Sequence, residues 1–237
     1  MALKEVTTQA ATLPNLLVYG PPGTGKSMAP VTYSGRTLLL HTEPGLIAAL
    51  IDQEASQRIR ALRVEGWDDV QGIRKGMEKW LQENKLGTDY DMIMLDSVTE
   101  LQEMALKAIL RDFPSKQKDG LPEQQHYGML RERMRQILYA LTQSKFGVYV
   151  TAQAMLVDIG TKDSPQTMWL ASLIGKTKNE IKHLFDWEFF SRKLNNKFEL
   201  VTEETTDSFG KSRGVTLPRI VPFNLDELFA QWGRSIR

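Results

Sequence analysis

The chain contains no cysteine. Disulfides, thiolate metal sites and cysteine nucleophiles are thereby excluded, and a reducing compartment is allowed. Net charge is scarcely present: 30 Lys and Arg against 29 Asp and Glu leave +1. Such a balance supplies no overall field to hold nucleic acid or an anionic membrane, so any such contact has to be a local patch. Histidine is sparse and scattered, with His41, His126 and His183 far apart along the chain, which argues against a histidine-rich metal site. No run approaches the roughly eighteen apolar residues of a membrane helix, and Met1 to Pro14 holds no apolar stretch of signal-peptide length. The expected setting is therefore soluble and cytoplasmic, with no membrane contact. Internal repeats and low-complexity segments are missing as well.

What is there suits a folded domain. Of 237 residues, 41% are hydrophobic and 25% charged, enough apolar material for a sizeable core and too much for wholesale disorder. Short apolar runs end abruptly in polar residues: Asn15 to Tyr19 before Gly20, Thr37 to Leu40, a weaker run from Ile59 to Val64, Met92 to Leu95 before Asp96, and Gly147 to Val150 before Thr151-Ala152-Gln153. Consecutive apolar positions fit strands buried on both faces of a parallel sheet. Between them lie stripes of helical period: Val70, Ile73, Met77, Trp80 and Leu81; Val98, Leu101, Ala105, Ala108 and Ile109; and Tyr127, Leu130, Met134, Ile137, Leu138 and Leu141. Strand and helix in alternation define an α/β fold with a mostly parallel sheet flanked by helices.

After Gln153 the pattern changes. Asp158 to Lys178 mixes Gly, Ser, Thr, Lys and Pro with isolated apolar residues and reads as a long mobile loop. Trp187 to Ser191 and Lys197 to Thr202 alternate around Asn195-Asn196, a hairpin signal. Pro218 and Pro222 bracket a last extended piece, and Asn224 is placed to cap a short helix bearing Leu225, Leu228, Phe229 and Trp232. One domain over 1–237 is expected: a core of about 14–155, a mobile loop of about 155–178 and a β-rich C-terminal part of about 179–237.

Gly20-Pro21-Pro22-Gly23-Thr24-Gly25-Lys26-Ser27 matches the pattern G-x-x-x-x-G-K-S/T directly after the first apolar run. Glycines let the backbone curl so that successive N–H groups point at one phosphate. Pro22, Gly23, Thr24, Gly25, Lys26, Ser27 and Met28 are the expected nucleotide-binding residues. Lys26 brings a point charge to the β- and γ-phosphates and Ser27 a hydroxyl to Mg2+. ATP and Mg2+ are the expected cofactors. Pro30, four residues after Lys26, must kink or end the helix that follows.

Asp96 terminates a buried strand, where a carboxylate can hold a Mg2+-bound water; Asp96 or Ser97 could equally cap the next helix. Because Ser97 rather than an acid follows Asp96, the group that activates water has to come from elsewhere. Glu43 is expected at the end of the second strand, on the same sheet edge as Lys26 and Asp96, with Glu100 and Glu103 as weaker rivals. Gln153 ends the next strand, where an amide can sense the γ-phosphate and relay its presence to the segment behind it.

Taken together, the phosphate loop, Leu40-His41-Thr42-Glu43, Met94 to Leu101 and Val150 to Gln153 resemble the RecA-like P-loop core ATPases. Within these, the chain is most similar to the bacteriophage branch proposed to act as single-strand annealing recombinases. The matching parts are spread over roughly the first two-thirds of the chain, and the C-terminal third follows only in outline. The resemblance implies a catalytic set of Lys26, Glu43 and Gln153, a metal pair of Ser27 and Asp96, and a DNA-contacting loop between Met155 and Lys178. Candidate contacts to single-stranded DNA there are Lys162, Trp169, Lys176 and Lys178. It also implies a homo-oligomer with ATP at subunit interfaces, where Lys211 or Arg213 of a neighbour would complete the site; a solvated turn is the plainer reading of those two. A single-strand binding protein is a further implied partner, and the host cytoplasm the setting if the chain is of phage origin. Where the family pattern has an aspartate, this chain has His41 or Thr42, and the acid is deferred to Glu43.

The resulting expectation is an ATPase acting on single-stranded DNA in phage-type recombination or strand annealing. The alternatives are an AAA+-type nucleotide-gated loader or adaptor, which predicts an acidic pair after the fourth strand and an arginine-bearing helical lid; a small-molecule P-loop kinase with Arg131, Arg133 and Arg135 as its lid; and a nucleotide-binding scaffold that hydrolyses little.

Overall fold

A computed structural model describes residues 13–43, 48–72, 75, 89–117, 119–143, 146–160, 164, 166–174 and 181–235. The apolar runs become β1 (Leu16–Gly20), β2 (Thr37–His41), β3 (Ile59–Arg63), β4 (Met92–Asp96) and β5 (Gly147–Asp158). After these come β6 (Thr167–Ala171), β7 (Trp187–Leu194), β8 (Lys197–Val201), β9 (Lys211–Ser212) and β10 (Ile220–Pro222). Helices among the described residues include α1 (Gln53–Ser56), α2 (Val98–Asp112), α3 (Gln124–Thr142) and α4 (Leu225–Ser235). Spatial order in the sheet is β10-β8-β7-β1-β5-β4-β2-β3, with β6 added to β5 and β9 to β7. Neighbours from β3 across to β7 are parallel, and β8, β9 and β10 complete the far edge in antiparallel fashion. The fold is thus α/β with a mostly parallel central sheet and flanking helices.

Strand residues alternate between two cores. Leu17, Leu38, Leu40, Ile93, Leu95, Val148 and Val150 face α2 and α3. Leu16, Val18, Leu39, Met92, Met94 and Tyr149 face the short helical segments after β1 and β2, with α4 closing over them through Leu225, Leu228 and Phe229. Burial on both sides is why the parallel strands read as unbroken apolar runs. In α2 the buried stripe is the one the periodicity predicts. In α3 the stripe starts at His126, which is fully buried, whereas Tyr127 is exposed. The cause is a reciprocal cap: Glu123 and His126 exchange hydrogen bonds with each other's backbone and turn the imidazole inward. The stripe from Ile73 to Leu81 lies outside the described residues.

Two expectations about connections fare differently. Asn195 and Asn196 have φ of 49° and 61°, the left-handed pair of a tight hairpin turn between β7 and β8. Part of the expected loop after Met155 is regular structure: Ala154–Asp158 pair antiparallel with Thr167–Ala171. Mixed composition misled here because this ribbon is paired by backbone hydrogen bonds while Met155, Leu156 and Ile159 stay exposed. Among the described residues no helix is long and apolar enough to cross a membrane.

Candidate active site

Parallel strands deliver their C-terminal ends to one edge, and the polar residues that ended each apolar run meet there. From Gly20 the chain turns into a 3-10 helix, Lys26–Thr32, containing Pro30. The proline accounts for its shortness. Gly23 and Gly25 sit at φ of 76° and 90°, a region that disfavours any side chain. Gly20 is needed for a different reason: a Cβ there would overlap Ser191 on β7. Thr24 is buried with Oγ1 donating to Pro21 O at 2.8 Å and 2.7 Å from Ser191 Oγ. Its side chain therefore anchors the loop, leaving its backbone N–H for a phosphate. Lys26 Nζ donates to Gly20 O and Pro21 O, each at 2.8 Å, and Tyr149 Oη donates to Lys26 O at 3.1 Å, pinning the helix start. Burial lowers the Lys26 pKa against the opposing pull of Asp96 and Glu43.

His41 on β2 pairs in register with Asp96 on β4. Asp96 is 2% exposed. Thr151 Oγ1 donates to its Oδ1 at 2.5 Å, and His41 Nδ1 lies 3.6 Å from its Oδ2. Burial alone would raise the carboxyl pKa, but the neighbouring polar groups of His41, Thr151 and Ser27 outweigh it and hold the group below the usual carboxylate range. The peptide bond from Asp96 to Ser97 is cis. Thr42 binds the two strand ends together: its N–H donates to Asp96 O at 2.7 Å, its Oγ1 donates to Ser97 O at 2.9 Å and accepts from Ser97 N–H at 2.8 Å. Ser97, rather than Asp96, caps α2 by accepting from Glu100 N–H at 3.3 Å, which leaves the Asp96 carboxylate for the cleft. Ser97 Oγ also donates to Glu43 Oε1 at 2.8 Å. Gln153 stands opposite Gly20, its N–H donating to Thr99 Oγ1 at 3.0 Å and its side chain exposed.

Pro22, Gly23, Gly25, Lys26, Ser27, Met28, Glu43, Asp96 and Gln153 line one cleft of about 290 Å³. Of the residues expected to bind or act on nucleotide, only Thr24 does not line it. Glu100 and Glu103 do not line it either. The hard oxygen donors of Ser27 and Asp96 fit Mg2+, and loop N–H groups with Lys26 fit a polyphosphate.

The remaining candidates lie elsewhere. Lys211 and Arg213 are at the opposite edge of the sheet, where β9 pairs with the start of β7. There Lys211 Nζ donates to Lys182 O at 2.6 Å and Arg213 is 3.7 Å from Asp186. Trp169 is half-buried. It stacks on Phe190 with centroids 6.1 Å apart, and its carbonyl accepts from Tyr19 Oη. Lys162, Lys176 and Lys178 lie outside the described residues. Sequence reasoning missed His41, Thr42 and Thr151 as supports of Asp96, and Phe198, whose ring packs against Gly25. Their positions flanking Glu43 and Gln153 were a usable signal for the first three; Phe198 had none.

Fold and cleft define a P-loop NTPase. Residues 13–214 match the family model of an AAA domain. The chain belongs to that family. No curated protein matches it. Among solved structures, a prototypical ATPase from the type III secretion system of pathogenic bacteria superposes with a TM-score of 0.47 at 13% identity, over 76% of this chain and 51% of that one. This chain thus spans about half the length of that protein.

Proposed function

We propose that the protein is a RecA-like ATPase that acts on single-stranded DNA in phage-type homologous recombination or strand annealing. The observation that carries this reading is the origin of the acid. Glu43 reaches the cleft from β2, held by Ser97 Oγ, while the position after Asp96 carries no carboxylate. Lys26 and the loop N–H groups bind the ATP phosphates, and Ser27 and Asp96 hold the cation. Mg2+, when bound, neutralises charge on the β- and γ-phosphates. With Oε1 engaged by Ser97, Glu43 turns Oε2 to the attacking water and takes its proton. Gln153 reads the γ-phosphate from β5, and β5 runs without a break into the ribbon with β6. That continuity supports a route from nucleotide state to a DNA-contacting segment. Active protein is a homo-oligomer with ATP between subunits, Arg213 being the neighbour's contribution, and a single-strand binding protein is its companion on DNA.

The test is ATP hydrolysis by the wild type and Lys26→Ala, with and without single-stranded DNA, at low and moderate salt. Stimulation that vanishes with Lys26 and weakens with salt is the expected result. Hydrolysis indifferent to DNA favours the second reading, a nucleotide-gated loader, to which membership of an AAA-domain family lends its own support.

A further inference from the structure

Two of the three histidines are buried, and they are buried differently. His126 is a satisfied core residue: Nδ1 accepts from Glu123 N–H at 2.8 Å and Nε2 lies 2.9 Å from Phe113 O. His41 is 5% exposed, and among the described residues neither ring nitrogen has a hydrogen-bond partner. Leaving both nitrogens of a buried imidazole unsatisfied is costly, so its place in the fold asks for a reason. The polar group facing it is Asp96 Oδ2, 3.6 Å from Nδ1. The register explains the approach, since His41 and Asp96 are directly opposed on adjacent parallel strands and project to the same face. Thr151 holds the other carboxylate oxygen from β5. His41 does not line the cleft, so it reaches a ligand only through Asp96.

We infer that His41 is a positioning residue of the divalent-cation site, clamping the Asp96 carboxylate from the side opposite Thr151 and setting how tightly the site takes its cation. The inference rests on the role proposed above for Asp96. Closing onto Asp96 Oδ2 gives the Nδ1–H its partner and fixes the carboxylate in one orientation. Outer groups that orient a ligating carboxylate or imidazole carry about ten- to a hundredfold of metal affinity.

The experiment is a titration of the ADP-bound protein with Mn2+, followed by electron paramagnetic resonance, alongside ADP binding measured without metal. His41→Leu is expected to weaken Mn2+ by about tenfold or more and to leave metal-free ADP binding unchanged. His41→Gln, which keeps an N–H donor, recovers most of the loss. His126→Leu lowers the melting temperature and leaves Mn2+ affinity alone. Wild-type Mn2+ affinity in His41→Leu overturns the inference, as does an equal loss of metal-free ADP binding, which would mark a collapsed cleft. Asp96→Ala separates the two layers of the argument. If it retains Mn2+, the cation site itself is misassigned; if it loses Mn2+ while His41→Leu does not, only His41 is. Should His41→Leu fail to fold, imidazole nitrogen resonances of the wild type decide. Mg2+ added to the ADP complex shifts the His41 signals and spares His126, and an unmoved His41 refutes the clamp.

Discussion

Asp96 and Glu188 are both buried carboxylates, 2% and 1% exposed, at opposite edges of the same sheet. Asp96 is met by donors from β2 and β5 and titrates below the ordinary range. Glu188, on β7, has no hydrogen-bond partner for either oxygen among the described residues. Burial pushes its pKa up, and the charges of Lys182, 3.7 Å away, and Lys211 offset that only in part. Depth of burial does not distinguish the two. Donor geometry does: a carboxylate with aimed donors stays charged in the interior, and one without them moves toward its neutral form. The cleft edge holds a charged carboxylate, while the far edge holds a buried carboxylate without a hydrogen-bond partner, away from the cleft.

Substitutions at these sites can break or sharpen that contrast. The largest effect is expected from Asp96→Ala, which should lower kcat by about a thousandfold, the several kcal/mol that metal-ion stabilisation supplies. Glu188→Gln should leave kcat at the wild-type value. An equal fall in both would end the distinction. Glu43→Gln should bind ATP normally and turn it over about 10²- to 10⁴-fold more slowly, as loss of general-base assistance implies. Normal turnover would return the base to an unassigned group. Thr151→Val removes a donor to an ionised group and should cost about 1.5–3 kcal/mol of stability in urea unfolding at neutral pH, where a shape-matched change beside an uncharged carboxyl would cost little.

The smallest effect is a slope with pH. Unfolded Glu188 releases its proton in the ordinary carboxylate range, whereas the folded protein keeps it to higher pH. Between those two values the folded state binds more protons, so stability from this site falls as pH rises and levels off above the folded pKa. The groups around it are Lys182, Lys211 and the Tyr19 hydroxyl, with Asp186 and Arg213 beside Lys211. Subtracting the Glu188→Gln stability curve from that of the wild type isolates the slope, and a flat difference would show that Lys182 and Lys211 compensate fully.

Much of the cleft was legible before any fold was known, because a parallel sheet exposes only the residue where each strand stops. Gly20, Asp96 and Gln153 each follow an apolar run, Glu43 lies two residues past β2, and no long-range information is needed to see that. Pro30 likewise foretold a short helix, and Asn195-Asn196 a tight hairpin. The ribbon of β5 and β6 was hidden because its order comes from backbone pairing. It is anchored by Tyr19, whose Oη donates to Phe209 O at 2.6 Å and accepts Phe209 N–H at 2.9 Å, with Trp169 O beside it. Those partners are 150 and 190 residues distant in the chain.

By itself the sequence determined the alternation of strand and helix, the phosphate loop and the polar residues that close each strand, since these depend on local periodicity and on glycine and proline stereochemistry. Only the tertiary structure decided which buried polar groups would be satisfied. His41 against His126, and Asp96 against Glu188, are pairs of like residues whose surroundings and role follow from strand register and cross-sheet neighbours. Electrostatic environment is a property of three-dimensional proximity, and spacing along a chain does not encode it.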